Sequence, residues 1–162
     1  MLELSLRKYA QEDLKILQRL VGDASMMEHL GGPETEGQIQ KRHERYLKSE
    51  GCYIIVEGPK KLPTGWIGYW EIEWRGEKTW ETGWSVLPEY QGKGIATQAT
   101  KMVLQEIRKE LKYQKVHAFP NINNKPSNAI CRKAGFTLLG KTEVEYPKGH
   151  QMNCNDWEYD LE

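Results

Sequence analysis

The chain opens with two segments whose apolar positions follow a helical period. Residues 9–21 (YAQEDLKILQRLV) repeat apolar side chains at the spacing of one helix face, and Gly22 marks the end of that pattern. Residues 34–49 are richer in polar side chains but also indicate a helix, and the break between the two falls at 31–33 (GGP). We therefore predict two consecutive helices before the first strand.

A strand-rich region follows, with an unusual concentration of tryptophan. The compact apolar run 52–56 predicts a strand. In 65–74 the tryptophans share one face at period 2 or period 4, and flanking glycine with dense aromatic residues favours a strand. Residues 79–87 return after a hairpin loop at 75–78. Both strands together carry five tryptophans, which we expect to form an aromatic wall, either as core or lining a pocket: Trp66, Trp70, Trp74, Trp80 and Trp84.

The second half alternates helices and strands. Residues 95–113 form the longest amphipathic segment, and its predicted buried stripe consists of Ala99, Met102, Val103, Ile107 and Leu111. A strand, a short helix ended by a glycine cap and two further strands are predicted at 115–119, 126–134, 136–146 and 154–161. Helices and strands mix around one sheet, so we expect a single α/β (α+β) domain spanning residues 1–162.

Composition narrows the function classes. The 162 residues carry 23 Lys+Arg and 23 Asp+Glu, and this zero net charge argues against a dedicated nucleic-acid-binding protein. No apolar run approaches a membrane span or the core of a signal peptide. The three cysteines form no CxxC pair and have no histidine at zinc spacing, which favours reduced thiols, a cytoplasmic protein and no metal site.

The charge is nevertheless unevenly distributed along the chain. Residues 89–142 hold ten Lys/Arg against three Glu, a net of +7, whereas residues 143–162 hold one Lys against six acidic residues. A basic segment within a neutral chain indicates either a solvated helix face or a local site for a polyanion.

A glycine-rich turn lies within that basic segment. Gln91-Gly92-Lys93-Gly94-Ile95-Ala96 follows a predicted strand and opens the longest helix. Two glycines let consecutive N–H groups point into one concavity, and the helix N-terminus adds partial positive charge. This geometry suits a pyrophosphate, although the turn matches neither a P-loop nor the dinucleotide fingerprint. Taken alone, it is equally compatible with an ordinary strand-to-helix connection.

Two motifs together resemble the GNAT superfamily of N-acetyltransferases. The stretch GWSVLPEYQGKGIATQA resembles that superfamily's acetyl-CoA-binding segment, and NNKPSNAICRKAGF resembles its second motif, with matching residues Asn124, Ser127, Lys133, Gly135 and Phe136. The details are most similar to the ribosomal-protein N-terminal (Rim-type) branch. The resemblance implies a mixed, mostly antiparallel twisted sheet flanked by helices and splayed at its central strands.

The resemblance also assigns cofactor contacts to acetyl-CoA (coenzyme A). The diphosphate would be held by backbone N–H groups of Gln91, Gly92, Lys93, Gly94, Ile95, Ala96 and Thr97. The pantetheine arm would pair with Ser85, Val86 and Leu87, where a β-bulge would splay the strands. The N–H of Ser85 or Val86 would face the thioester carbonyl. Asn124 and Ser127 would bond the pantetheine arm, although both also suit a helix N-cap. Candidates for the 3′-phosphate are Lys93, Lys125, Arg132 and Lys133.

The expected reaction is direct attack of a primary amine on the thioester, which requires a neutral amine and therefore a base. Glu81 is the first candidate, on the face opposite Trp80, although an exposed strand carboxylate is the simpler interpretation. Glu145 and Glu143 come next, followed by Glu71. Many GNAT enzymes place a tyrosine acid at the position held here by Cys131, so Ser127 becomes the alternative proton donor.

The acceptor remains open on sequence alone. A protein or peptide N-terminus leads, with an amino acid, a polyamine or an antibiotic amine as alternatives. The tryptophans and the acidic C-terminal stretch favour a cationic acceptor. Because Cys131 departs from the motif, a non-catalytic acyl-CoA-binding regulatory protein of the same fold is a further alternative. Small enzymes of this kind often pair, so a homodimer is compatible with the sequence, whereas no nucleic-acid or membrane partner is expected.

Overall fold

In the computed structural model, which describes residues 2–162, seven strands form one sheet in the order β1-β2-β3-β4-β5-β7-β6. The strands are β1 (Leu4–Lys8), β2 (Cys52–Glu57), β3 (Leu62–Trp74), β4 (Glu77–Val86), β5 (Lys115–Ala118), β6 (Thr137–Glu145) and β7 (Gln151–Asp160). The helices are α1 (Leu14–Val21), α2 (Glu36–Lys48), α3 (Ile95–Arg108) and α4 (Lys125–Ala134). Short 3-10 turns occupy Gln11–Asp13 and Pro88–Tyr90.

The sheet is mixed, as predicted. Every neighbouring pair is antiparallel except β4–β5, which is parallel and joined by the crossover helix α3. No helix within residues 2–162 is long and apolar enough to cross a membrane.

The central strands separate after a short contact. Only Trp80–Val116 and Glu81–His117 pair β4 with β5, although β4 continues to Val86. The predicted splay is therefore present. It leaves the C-terminal part of β4, after Glu81, without a neighbouring strand on one side. The predicted bulge in β4 is wrong, because β3 and β4 keep one register from Trp74–Glu77 to Gly65–Val86.

One strand was not predicted, and several predicted boundaries differ from the structure, among them the start of the first helix and the end of the long one. Strand β1 was not predicted, because LSLRK is short and half polar; its pairing to β2 forms it. The long helix ends at Arg108 rather than residue 113, and Leu111 has a positive φ of 53° and is 93% exposed. The prediction that Leu111 belongs to the buried stripe is therefore wrong.

The sheet separates two apolar cores, and the tryptophans divide between them. Trp80 lies in the core beneath α3, and Trp84 packs against it, whereas Trp66 lies in the core beneath α1 and α2. The register pairs Trp66 with Ser85 and Trp70 with Glu81, so the β3 tryptophans share the face of Glu81. The prediction of a single wall of five tryptophans is therefore wrong. The three β3 tryptophans lie on one face of the sheet, and Trp80 and Trp84 lie on the other.

Candidate active site

The glycine turn has the geometry of an anion nest. Gly92 and Gly94 have φ of 76° and 81°, in the left-handed region. A Cβ atom at either position would meet nothing within 4 Å, so packing does not explain these glycines. Gly94 caps α3 without any side-chain hydrogen bond, and the first turn of α3 carries no acidic residue. This 14-residue helix therefore begins without a capping side chain, and uncapped N–H groups at a helix start suit a diphosphate.

The residues of the turn differ in what they can contribute. The Gln91 side chain donates from Nε2 to the Val86 carbonyl at 2.8 Å and thereby ties the turn to the end of β4. The Lys93 ammonium lies 5.6 Å from the centre of the Tyr90 ring and is exposed. The Ile95 side chain is buried in the core beneath α3, so only its backbone faces the nest. Ala96 and Thr97 complete the first turn of α3.

Because hydrogen bonds alternate along β4, the backbone groups of Ser85 and Val86 point to opposite sides of the strand. The Leu87 N–H donates to the Thr64 carbonyl at 2.9 Å, so its direction is toward β3. Strand residues two apart direct their N–H groups to the same side, which sends that of Ser85 toward β3 as well. The Val86 carbonyl instead accepts from Gln91. Val86 therefore turns its backbone groups to the splayed side, where an incoming chain could pair with it.

The second motif supplies a helix cap and an available hydroxyl. The Asn124 side chain accepts from the Ser127 N–H at 3.1 Å, so Asn124 is the N-cap of α4. Both residues line the same cavity. Within residues 2–162 the Ser127 hydroxyl has no hydrogen-bond partner. Asn128 was not anticipated by sequence reasoning; it is buried and bonded to Asn155 and Trp157, which positions α4 on β7.

A cavity of about 440 Å³ opens between the β3–β4 face, the α1–α2 loop and the β6–β7 hairpin. It reaches the turn-side residues Ser85, Asn124 and Ser127. Aromatic rings line much of it, and three carboxylates come from different elements: Glu73 and Glu81 from the central hairpin and Glu145 from β6.

The aromatic rings form a continuous stack. Tyr46 lies parallel to Trp66 with centroids 4.8 Å apart, and Trp66 lies 6.3 Å from Trp70. Trp74 meets Phe119 edge-on at 4.8 Å on the other side of the cavity. Aromatic faces combined with carboxylates are the surroundings that bind organic cations.

Glu81 lies in the lining of this cavity with its pKa raised. Burial raises the pKa of Glu81 to about 7, while the Trp70 indole and His117 act in the opposite direction. The Trp70 Nε1–H donates to Glu81 Oε1 at 3.3 Å. A carboxyl that ionises near neutrality is matched to proton transfer at that pH.

The other predicted acid–base groups are placed less favourably. Glu145 lines the cavity mouth and is exposed, whereas Glu143 is exposed and outside the lining. Glu71 faces the α3 side, where the Lys112 ammonium and the Tyr113 hydroxyl hold its pKa below the usual range. Glu71 is thus removed from the cavity that contains Glu81.

Cys131 is part of the core rather than of the cavity. Its side chain is 0% exposed within the core beneath α3, and burial raises the pKa of the thiol to about 12. The residue at the tyrosine position of the motif therefore acts as a small apolar side chain. Within residues 2–162 no cluster of three or more His, Cys, Asp or Glu is placed to hold a metal ion.

Comparison with a family model decides the class of the protein, because the model described as "Acetyltransferase (GNAT) domain" matches residues 3–137. The chain belongs to the GNAT acetyltransferase family. The predicted enzyme class, an acetyltransferase that uses acetyl-CoA, is therefore confirmed.

Relatives of the chain include two bacterial acetyltransferases. It is 26% identical over 160 residues to the uncharacterized N-acetyltransferase YnaD of Bacillus subtilis. This match covers 91% of this chain and 87% of that protein. It is 27% identical over 146 residues to the spermidine N(1)-acetyltransferase of Escherichia coli, covering 87% and 76%. These relatives do not support the Rim-type branch, whose motif residues bind cofactor and carry little information about the acceptor.

A solved structure confirms the predicted fold class. The chain superimposes on the spermidine N-acetyltransferase of Vibrio cholerae, solved with CoA and spermine, with a TM-score of 0.79. The match covers 98% of this chain and 95% of that chain at 18% sequence identity. The mixed, splayed sheet with its flanking helices is therefore the GNAT fold.

Proposed function

We propose that this protein transfers the acetyl group of acetyl-CoA to a primary amine of a small organic cation, with polyamines as the leading class. The observation that carries this proposal is the cavity that joins an aromatic stack and three carboxylates to the open end of β4. Spermidine acetyltransferase among the relatives supports the same acceptor class.

The cofactor side of the site fits coenzyme A. The nest formed from Gln91 to Thr97 offers backbone N–H groups and two open glycine positions to a diphosphate. The splay beside β4 leaves room for an extended arm to pair with Val86, and its N–H would donate to the thioester oxygen as charge develops there. The Ser127 hydroxyl is available to the same arm. Lys93, Lys125, Arg132 and Lys133 remain the candidates for the 3′-phosphate.

On the acceptor side, Glu81 would remove the proton that prevents attack. A protonated amine of pKa about 10.4 costs roughly 4.6 kcal/mol to deprotonate at pH 7. The rings beside Glu81 would hold the cation, and Glu81 would accept one of its protons before the nitrogen attacks the thioester carbon. As the tetrahedral intermediate collapses, the C–S bond breaks, the nitrogen loses its second proton and the sulfur leaves as a thiolate. The Ser127 hydroxyl would relay that proton, directly or through water, from the nitrogen to the sulfur. Glu145 at the mouth would attract a second ammonium of the acceptor.

Thiol release from acetyl-CoA across an amine panel tests the acceptor class. The panel contains spermidine, spermine, an aminoglycoside, a free amino acid and a peptide with a free N-terminus. We expect turnover with the polyamines to exceed that with the peptide by at least tenfold in kcat/KM. Turnover restricted to the peptide would instead favour the N-terminal acetyltransferase suggested by the motifs. Tight acetyl-CoA binding in calorimetry with no turnover on any amine would favour the regulatory acyl-CoA-binding protein.

A further inference from the structure

A buried histidine lies directly behind the proposed base. His117 on β5 is the register partner of Glu81 on β4, so both side chains occupy the same face of neighbouring strands, about 4.8 Å apart at the backbone. His117 is 5% exposed, and its ring stacks on Phe119, a residue of the cavity wall, at 5.7 Å. The histidine therefore forms the layer beneath the cavity without opening into it.

Both ring nitrogens of His117 face carboxylate oxygens. Nδ1 lies 2.6 Å from Asp156 Oδ1, and Nε2 lies 3.3 Å from Glu158 Oε2. A neutral imidazole has one N–H, so its second nitrogen would direct a lone pair at a carboxylate. An imidazolium carries an N–H at both nitrogens, so it donates to Asp156 and attracts the Glu158 carboxylate. The contact geometry thus favours the positively charged ring.

The partners of His117 are themselves held in place. Asp156 is 1% exposed, and its Oδ2 accepts from the Trp74 indole at 3.1 Å. The Lys115 ammonium lies 3.8 Å from Glu158 Oε1. The charged and titratable groups around the ring are Glu81 on β4, Asp156, Glu158 and the Cys154 thiol on β7, and Lys115 on β5 itself.

We propose that His117 is a positioning residue for acetyl transfer, whose positive charge, fixed by Asp156 and Glu158, favours the carboxylate form of Glu81. This inference rests on the proposed function, in which that carboxylate accepts the proton of the amine. His117 does not pass the proton on, because Nδ1 is hydrogen-bonded to Asp156 and Nε2 lies at ion-pair distance from Glu158. Its effect on Glu81 is electrostatic, through the short separation of two parallel strands.

The charge balance explains why the effect matters. Burial opposes ionisation of Glu81, and the hydrogen bond from the Trp70 indole and the nearby His117 act against that effect. Among the described residues near Glu81, His117 contributes the opposing positive charge. Without it, a larger fraction of Glu81 would be protonated at neutral pH.

NMR titration of the Glu81 side-chain carboxyl in H117Q tests the inference without any need for turnover. E81Q assigns the resonance. We expect the midpoint of the Glu81 titration to move to higher pH by at least about one unit, a tenfold change in proton affinity. The matched control is H43Q, because His43 is also buried and bonds the Tyr9 hydroxyl but lies on α2. An unchanged midpoint in H117Q, or an equal movement in H43Q, overturns the inference.

Two further measurements separate the possible failures. Imidazole ¹⁵N shifts of the wild-type protein should show both His117 nitrogens protonated where Glu81 ionises; a neutral ring overturns the inference even if H117Q does not fold. In kinetics, the acid limb of kcat/KM should move in H117Q by the amount seen in NMR. An NMR shift without movement of the limb overturns the role of His117 in the reaction. If E81Q also keeps the limb, the assignment of Glu81 as the base fails as well.

Discussion

At the scale of single residues, the surroundings of Glu81 distinguish it from the other carboxylates of the chain. It shares the cavity with Glu145, yet Glu145 is exposed, whereas burial raises the pKa of Glu81 to about 7. A general base acts in its deprotonated form, so activity that depends on Glu81 must rise with pH through that value. The carboxylates of Glu71 and Glu143 lie outside the lining of this cavity.

Replacement of Glu81 by glutamine tests this assignment. At pH 7, E81Q should lower kcat/KM about 100-fold, within the usual contribution of a general base, and should remove the acid limb near pH 7. The pH–rate profile of wild type and variant measures both effects. E145Q is the matched control, since it also lines the cavity but should keep the limb. A limb that survives in E81Q and disappears in E145Q would transfer the role to Glu145.

The same pKa shift predicts a pH dependence of stability. The folded protein holds a proton on Glu81 up to pH of about 7, whereas the unfolded chain loses it near the ordinary value of 4.5. This contribution to stability is therefore present below pH 4.5 and is lost as pH rises to about 7. We expect E81Q to unfold at a higher urea concentration than wild type at pH 8, with a smaller difference at pH 5. An equal difference at both values would contradict the shifted ionisation.

At the scale of elements, the strand–turn–helix unit formed by β4, the glycine turn and α3 holds the proposed nest. The positive φ of Gly94 starts α3 directly from the turn, and no side chain covers the first N–H groups. Gly58 in the β2–β3 turn has φ of 79° and equally open surroundings. The two glycines therefore share the same backbone requirement, and only Gly94 adjoins a helix N-terminus.

Alanine substitution at these two glycines separates backbone strain from ligand binding. Both G94A and G58A should lose about 1 kcal/mol of unfolding free energy, because a side chain disfavours the left-handed region. Only G94A should weaken acetyl-CoA binding, by at least tenfold in Kd measured by calorimetry, because its Cβ would enter the nest. Equal affinity in the two variants would place the diphosphate elsewhere.

At the scale of the whole molecule, contacts between distant segments close the acceptor cavity. Arg42 on α2 forms a hydrogen-bonded ion pair with Glu34 and reaches the hydroxyls of Tyr46 and, 104 residues away, Tyr146 on the β6–β7 side. The Arg42 and Glu34 side chains are 16% and 14% exposed. The cavity wall thus depends on a largely buried charge that joins the helical layer to the last hairpin.

Two substitutions measure the strength of this junction. R42M should cost about 3 kcal/mol of unfolding free energy, because it leaves the Glu34 carboxylate largely buried without its cation. Y146F removes a single hydroxyl and should cost about 1 kcal/mol. Urea unfolding compares the two. A loss in R42M no larger than that in Y146F would mean that Glu34 finds water or another partner once Arg42 is removed.

Local patterns were sufficient to predict much of the site. The glycine turn, the cap at Asn124 and the helix end at Gly135 depend on residues close in sequence, and all three occur as predicted. Strand β1 could not be predicted in this way, because its five half-polar residues become a strand only by pairing with β2. The predicted end of α3 lies several residues beyond the observed one. The apolar Leu111 continues the helical spacing in the sequence, but the helix itself ends at Arg108.

The sequence by itself predicted the superfamily, the order of the major elements and the glycine turn before α3, because these depend on short-range geometry and on spacing within a motif. Only the tertiary structure decided which tryptophans face the cavity, that Cys131 lies in the core, and that Glu81 pairs in register with His117 across the parallel β4–β5 junction. Strand register, burial and the distance between charges from remote segments fix these properties. None of these properties can be predicted from residues that are adjacent in the sequence.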